Sequence, residues 1–361
     1  MGSIPSDANS SLSNDVLLVN LPMPADEAWI TKMESRYSGL RVRWVERSKW
    51  NAGSQGVPPE MWEGVTIVVG APPHPAHLMT NVRYVQLSSA GADRWLEQDL
   101  YKNPDVIFCT ANGCHPPQIA EWVIATWLMK SHRLLDYHVF QKEERWNKVL
   151  YSDIADSPGL RMGILGYGAI GRHVARISSA MGMEIYAYTR TERSTPESKK
   201  DDSYYVPGTG DPDGLIPAKW FHGSSKEAID DFLSQDLDVL VLCMPLTPAT
   251  KKMLGKEQFD ILARKKTFVS NIGRGKLIDT DALLEALEQG KIQGAALDVT
   301  DPEPLPDGHP LWKAPNVYIT PHVSWQTPHY IRRVLDILET NLEKMDKGER
   351  MLNIMNREHN Y

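Results

Sequence analysis

Cysteine is scarce in this chain, with only Cys109, Cys114 and Cys243 among 361 residues. Three are too few for a disulfide scaffold and suit a reducing compartment. None stands at a metal-ligand spacing from a histidine, so no structural metal is expected. Positive charge is also in short supply. Against 46 acids stand 39 lysines and arginines, a formal charge of −7 that leaves no basic surface for nucleic acid. Long apolar runs are missing too: the longest, residues 119–129, is interrupted by Glu121 and is too short to span a bilayer. The first fourteen residues are polar, with no charged stretch leading into an apolar core, so no secretory signal is read there. Met1-Gly2-Ser3-Ile4-Pro5-Ser6 fits the N-myristoylation pattern in form, without a basic cluster or second lipid signal beside it. The terminal His359-Asn360-Tyr361 is not a peroxisomal address. Neither nucleic acid nor membrane is an expected partner, and cytoplasm is the expected compartment.

What remains is the composition of a globular protein, 42% hydrophobic and 24% charged, in a chain long enough for two domains. Short apolar runs recur at 16–21, 65–69, 84–87, 106–109, 162–165 and 184–188, then at 239–243, 267–272, 295–299 and 317–320. Runs of this length without clean alternation suit strands buried on both faces of a parallel sheet. Longer amphipathic stretches, such as 118–134 and 282–287, lie between them. The alternation predicts an α/β, doubly wound architecture, with about four strands in a first series and a second series starting at Met162. The stretch from Gln118 is long enough to cross between two such domains, and a ligand-binding cleft is expected between them. Residues 193–219, rich in Ser, Pro, Gly, Asp and Lys, read as a surface loop inserted into the second domain.

Gly166-Tyr167-Gly168-Ala169-Ile170-Gly171 follows the run 162–165 and opens a helical pattern over 172–181. In that setting the hexapeptide reads as the phosphate-binding turn of a Rossmann-like domain. The first glycine permits a tight turn, the second lets the backbone approach a pyrophosphate, and the third lets helix and sheet pack closely. The helix N-terminus then offers N–H donors to the phosphates. At the end of the next strand an acidic residue usually receives the adenosine ribose, yet this chain has Thr189-Arg190-Thr191. Thr189 cannot repel a 2′-phosphate and Arg190 could hold one, so NADP is expected ahead of NAD.

Polar residues also follow the later strands, where a parallel sheet presents its carboxyl edge to ligands. Asn271-Ile272-Gly273-Arg274-Gly275 comes first, then Asp298 with Asp301-Pro302-Glu303-Pro304, then Pro321-His322-Val323-Ser324. A guanidinium, a carboxylate and an imidazole would converge there.

Through these segments the chain resembles the D-isomer-specific 2-hydroxyacid dehydrogenases, the family that includes glyoxylate/hydroxypyruvate reductases. Ser88-Ser89-Ala90-Gly91-Ala92-Asp93, Ala120-Glu121, Pro245-Leu246-Thr247 and the motifs above match in order from about Tyr84 to Asn341. Residues 1–80 match loosely, and the insertion at 193–219 is longer than the family usually carries.

The resemblance implies two Rossmann-like domains with the active site in the cleft between them. Residues 1–117 plus 328–361 would form the substrate domain, and 118–327 the dinucleotide-binding one. Arg274 would clamp the substrate, His322 would be the acid/base and Glu303 its partner. Asp298 would receive the nicotinamide carboxamide. Pro245 and Ile272 would join the glycine turn, Thr189 and Arg190 around the cofactor. The backbone at Ala90 and Gly91 would bind the substrate carboxylate. The chemistry of each type agrees: arginine offers a planar fork for a carboxylate, and histidine can give or take the proton at a carbonyl oxygen. The implied activity is reversible, NAD(P)H-dependent reduction of a small 2-keto acid to the D-2-hydroxy acid, in a homodimer. Two alternatives stay open: a dinucleotide-sensing, corepressor-like binding protein, and a formate-type dehydrogenase. The latter subgroup carries glutamine where this chain has Glu303.

Overall fold

The computed structural model describes residues 10–47, 57–70, 74–149 and 154–357. The N-terminal acylation pattern and the last three residues lie outside them. The chain divides into two compact units, Met1–Cys114 with Pro328–Tyr361, and His115–Thr327.

In the first unit five parallel strands, β1 (Val16–Val19), β2 (Arg41–Trp44), β3 (Ile67–Val69), β4 (Tyr84–Gln86) and β5 (Ile107–Cys109), lie in the order β2-β1-β3-β4-β5. Four of them fall on the expected apolar runs. β2 was not foreseen, because Arg41-Val42-Arg43-Trp44 forms a sheet edge and shows no continuous apolar run. The helix Tyr330–Asp346 returns to this unit. From it the buried Asn341 donates to Gln86 Oε1 at 3.1 Å and to Tyr84 Oη at 3.2 Å, and accepts from Leu352 N at 2.7 Å. Polar side chains on a fully buried strand need partners, and Asn341 supplies them.

Seven parallel strands form the second sheet: β6 (Arg161–Leu165), β7 (Glu184–Thr189), β8 (Lys219–His222), β9 (Val239–Leu242), β10 (Phe268–Asn271), β11 (Gly294–Leu297) and β12 (Val317–Ile319). Their order is β12-β11-β10-β9-β6-β7-β8. The chain winds outward from β6 through β7 to β8, then restarts on the other side of β6 with β9. Ligands of open α/β sheets bind outside the carboxyl ends at such a reversal. Every loop that follows β6, β9, β10, β11 or β12 therefore opens at one edge.

Two expectations need correction here. The helical stretch expected over 118–134 is the helix Pro116–Ser131, which ends where Arg133 takes a left-handed backbone, φ 55°. A second helix, Leu134–Lys142, starts there. Nor is 193–219 a bare surface loop. It holds a short helix, Pro196–Lys199, capped by Thr195, it ends in β8, and it buries Asp211 to 6% exposure. Its polar composition hid these features, because the contacts that order it are polar. Among the described residues no helix is long and apolar enough to cross a membrane, and no cluster of three or more His, Cys, Asp or Glu could hold a metal ion.

Candidate active site

The glycine turn closes β6 and opens the helix Ala169–Ala180. Gly166 has φ +102°, and a Cβ there would come within 2.9 Å of the Cys243 and Met244 backbone. At Gly171 a Cβ would sit 2.4 Å from the Gly166 carbonyl oxygen. Gly168 differs, for a Cβ would meet nothing within 4 Å. The open space lies at the N-cap of the helix, and no side chain caps it. A helix start without a protein cap, facing room, has N–H donors and a positive dipole end to offer an anion. These residues fit a dinucleotide pyrophosphate. Ala169 and Ile170 form the first turn of that helix, whereas the Tyr167 side chain is buried within the domain.

β7 ends at Thr189, whose Oγ1 donates to the Thr191 carbonyl at 2.7 Å. Arg190 is exposed just beyond it, and Arg193 is drawn to the Ser198 carbonyl. Pro245 follows β9, and its carbonyl accepts from Thr250 Oγ1 at 2.9 Å.

Arg274 follows β10. Asn271 Nδ2 donates to the Arg274 carbonyl at 3.0 Å, and Asn271 Oδ1 accepts from Gly273 N at 3.1 Å, so the strand's last residue shapes the loop that carries the guanidinium. Ile272 is buried between them. The glycine after Arg274 serves packing rather than ligand access: a Cβ at Gly275 would lie 1.9 Å from the Thr300 carbonyl oxygen.

His322 follows β12 and Glu303 lies in the loop after β11. His322 Nδ1 and Glu303 Oε1 are 2.7 Å apart, both side chains about two-fifths exposed. A carboxylate on Nδ1 fixes the ring and its tautomer, leaving Nε2 for a ligand. The backbone of His322 is left-handed, φ 55°, although it is not glycine. A conformation of that kind persists where surroundings over-determine it. Here His322 N donates to the Asp298 carbonyl at 2.9 Å, and Trp325 Nε1 donates to the His322 carbonyl at 2.8 Å.

The side chain of Asp298 does work that the resemblance does not imply. Almost fully buried, it accepts from Thr320 Oγ1 at 2.6 Å and Val323 N at 2.9 Å on one oxygen. Its other oxygen accepts from Ser324 N at 3.0 Å and from Ser324 Oγ. Four donors fill a carboxylate's acceptor sites, so Asp298 holds the 320–324 loop, and with it His322. Sequence reading did not single out Thr320 or Ser324 for this. Two small hydroxyl residues flanking a histidine after a strand were the available signal.

Ala90 and Gly91 belong to the first unit, in the loop after β4. There Ser89 Oγ donates to the Gly91 carbonyl at 2.6 Å.

The sequence pattern described as "D-isomer specific 2-hydroxyacid dehydrogenase, NAD binding domain" matches residues 124–209 and 217–324. The chain is 28% identical over 330 residues to glyoxylate/hydroxypyruvate reductase A of Photorhabdus laumondii, covering 89% of this chain and 92% of that one. It is 31% identical over 246 residues to hydroxypyruvate reductase of Blautia hydrogenotrophica, 66% of this chain and 68% of that one. A D-isomer specific 2-hydroxyacid dehydrogenase from Xanthobacter autotrophicus Py2, solved in complex with NADPH and MES, has a similar structure. Its TM-score is 0.73 at 26% identity, over 96% of this chain and all of that one.

Proposed function

The chain belongs to the D-isomer-specific 2-hydroxyacid dehydrogenases, and from that premise we propose that it reduces a small 2-keto acid to the D-2-hydroxy acid, reversibly, with NADPH ahead of NADH. The observation that carries this reading is the His322–Glu303 pair, at 2.7 Å, on the sheet edge that also carries Arg274 and the glycine turn.

We assign the dinucleotide to the second unit, on the glycine turn, Pro245 and Ile272, with Thr189 and Arg190 at its adenosine end. The substrate is assigned to Arg274, on the same unit. When bound, the reduced nicotinamide supplies the hydride that C2 of the keto acid takes up. Arg274 holds the acid's carboxylate and draws electron density from the adjacent carbonyl. His322 gives a proton from Nε2 to the carbonyl oxygen as C2 is reduced, and takes it back in the oxidative direction. Glu303 holds the ring through Nδ1, which leaves Nε2 for the substrate. Asp298, through Thr320, Val323 and Ser324, keeps the imidazole in place.

The NADPH preference is supported by the end of β7, which has Thr189 where an acidic residue is common and is followed by the exposed Arg190. Cytoplasm is the proposed compartment, in keeping with a chain that has only three cysteines. A homodimer is supported by Leu134, Leu135 and Val139, 52%, 40% and 50% exposed on the helix Leu134–Lys142. Apolar side chains grouped on one helix are a surface that association would cover.

The test is a panel of 2-keto acids, from glyoxylate and hydroxypyruvate to branched and aromatic ones, with NADPH and with NADH at 340 nm. Turnover of at least one acid is expected. Tight dinucleotide binding with no turnover of any acid would point instead to a dinucleotide-sensing binding protein.

A further inference from the structure

The insertion after β7 is tied to the glycine turn by a buried set of contacts that the reaction does not use. Tyr167, second residue of the turn, is 3% exposed and sets its ring edge-on to Trp220, centroids 4.9 Å apart. Its hydroxyl donates to Asp211 Oδ2 at 2.8 Å. The Asp211 carboxylate also accepts from Leu215 N at 3.0 Å and Ile216 N at 3.1 Å. Arg172, in the first turn of the helix Ala169–Ala180, is buried and donates to the carbonyls of Asp211 and, at 2.7 Å, Lys199. One residue further on, His173 Nδ1 accepts from Gly210 N at 3.1 Å. The family pattern skips residues 210–216, the part of the insertion that makes most of these contacts.

We propose that Asp211 is a positioning residue for dinucleotide binding: through Tyr167 and Arg172 the 199–216 segment clamps the glycine turn in the conformation that takes the pyrophosphate. The proposal rests on the reading of that turn as the dinucleotide site. An anion site built of backbone N–H groups has no side chain that can adjust, so its affinity depends on how firmly the backbone is held. Glycines weaken that hold because they leave the chain more conformations. Tyr167 lies between two of them and is the turn's nearest handle. A buried phenol hydroxyl is costly without a partner, so the Asp211 contact fixes where the ring, and hence the turn, can lie.

The experiment compares native protein with Tyr167→Phe, Asp211→Ala, Asp211→Asn and the Tyr167→Phe/Asp211→Ala double variant. Calorimetry gives Kd for NADPH and for NADH, kinetics give keto-acid KM and kcat at saturating dinucleotide, and melting gives Tm. Tyr167→Phe should weaken dinucleotide binding roughly 3- to 30-fold, the size of coupling carried by residues that touch no ligand. Asp211→Ala should weaken it at least as much, and the double variant should lose less than the product of the two. Asp211→Asn should retain part of the affinity, since its amide oxygen can still accept from the tyrosine. In Asp211→Asn, keto-acid KM and kcat at saturating dinucleotide should stay at native values, so that the loss falls on dinucleotide Kd. A Tyr167→Phe protein that binds both dinucleotides with native affinity overturns the proposal, even if Asp211→Ala lowers Tm or fails to fold. Native protein that binds neither NADPH nor NADH would instead dismiss the dinucleotide reading of the turn.

Discussion

At the scale of single residues the proposed proton-transfer pair makes the sharpest claim. With Glu303 on Nδ1 at 2.7 Å, His322 has one nitrogen engaged and one for chemistry. His322→Ala should lower kcat for keto-acid reduction by roughly 10²–10⁴-fold, the usual worth of a positioned acid. Dinucleotide Kd should barely move, because the ring belongs to no part of the glycine turn. Glu303→Gln keeps the shape but removes the charged partner of Nδ1, so kcat for keto-acid reduction should fall while dinucleotide Kd stays native. Native kcat in that variant would reduce Glu303 to a turn residue. Arg274→Ala should differ in kind, raising KM and lowering kcat together, because the fork is proposed both to bind the acid and to orient the carbonyl.

Two predictions belong to whole elements. The helix Ala169–Ala180 carries His173 on its buried side, where desolvation, and secondarily Arg176, lower the pKa from 6.5 to about 4. Folded protein thus keeps this ring neutral over a range in which unfolded chain takes up a proton. The stability so gained is complete above about pH 6.5 and is lost as pH falls towards 4. His173→Gln retains an acceptor for the Gly210 N–H and does not titrate. Its urea midpoint should fall less than that of native protein between pH 6.5 and pH 4, and equal slopes would show the ring to be solvated. The end of β7 governs the other prediction. If Arg190 meets a 2′-phosphate, Arg190→Ala should narrow the NADPH-over-NADH ratio of kcat/KM by on the order of tenfold or more. A native enzyme that prefers NADH would sink the assignment.

For the whole molecule the question is assembly. Leu134, Leu135 and Val139 are exposed on one short helix, an apolar surface that association would cover. A dimer mass by light scattering at micromolar concentration is expected. Leu135→Glu with Val139→Glu should give a monomer, since charge cannot be buried there without a partner. A native monomer would leave that apolar surface unexplained and the dimer proposal wrong.

How far these conclusions were legible in the sequence depends on the kind of contact behind each. Strands such as Met162 to Leu165, buried on both faces, announce themselves as apolar runs, and the glycines at 166 and 171 are demanded by local geometry. The order Arg274, Glu303, His322 could likewise be read as polar residues after consecutive strands, and the structure places His322 and Glu303 in contact. Edge strands β2 and β8 escaped, because a half-exposed strand with charged residues has no continuous run. The fourfold use of Asp298 and the bond from Tyr167 to Asp211 escaped for another reason. They join residues 22 to 44 positions apart through hydrogen bonds, which leave no periodic trace in composition. The α/β plan, the glycine turn and the residue types at the sheet edge were legible in the chain, because they follow from local sterics and hydrophobic burial. Which buried polar groups satisfy one another was not, because that choice depends on where the fold brings distant parts of the chain together.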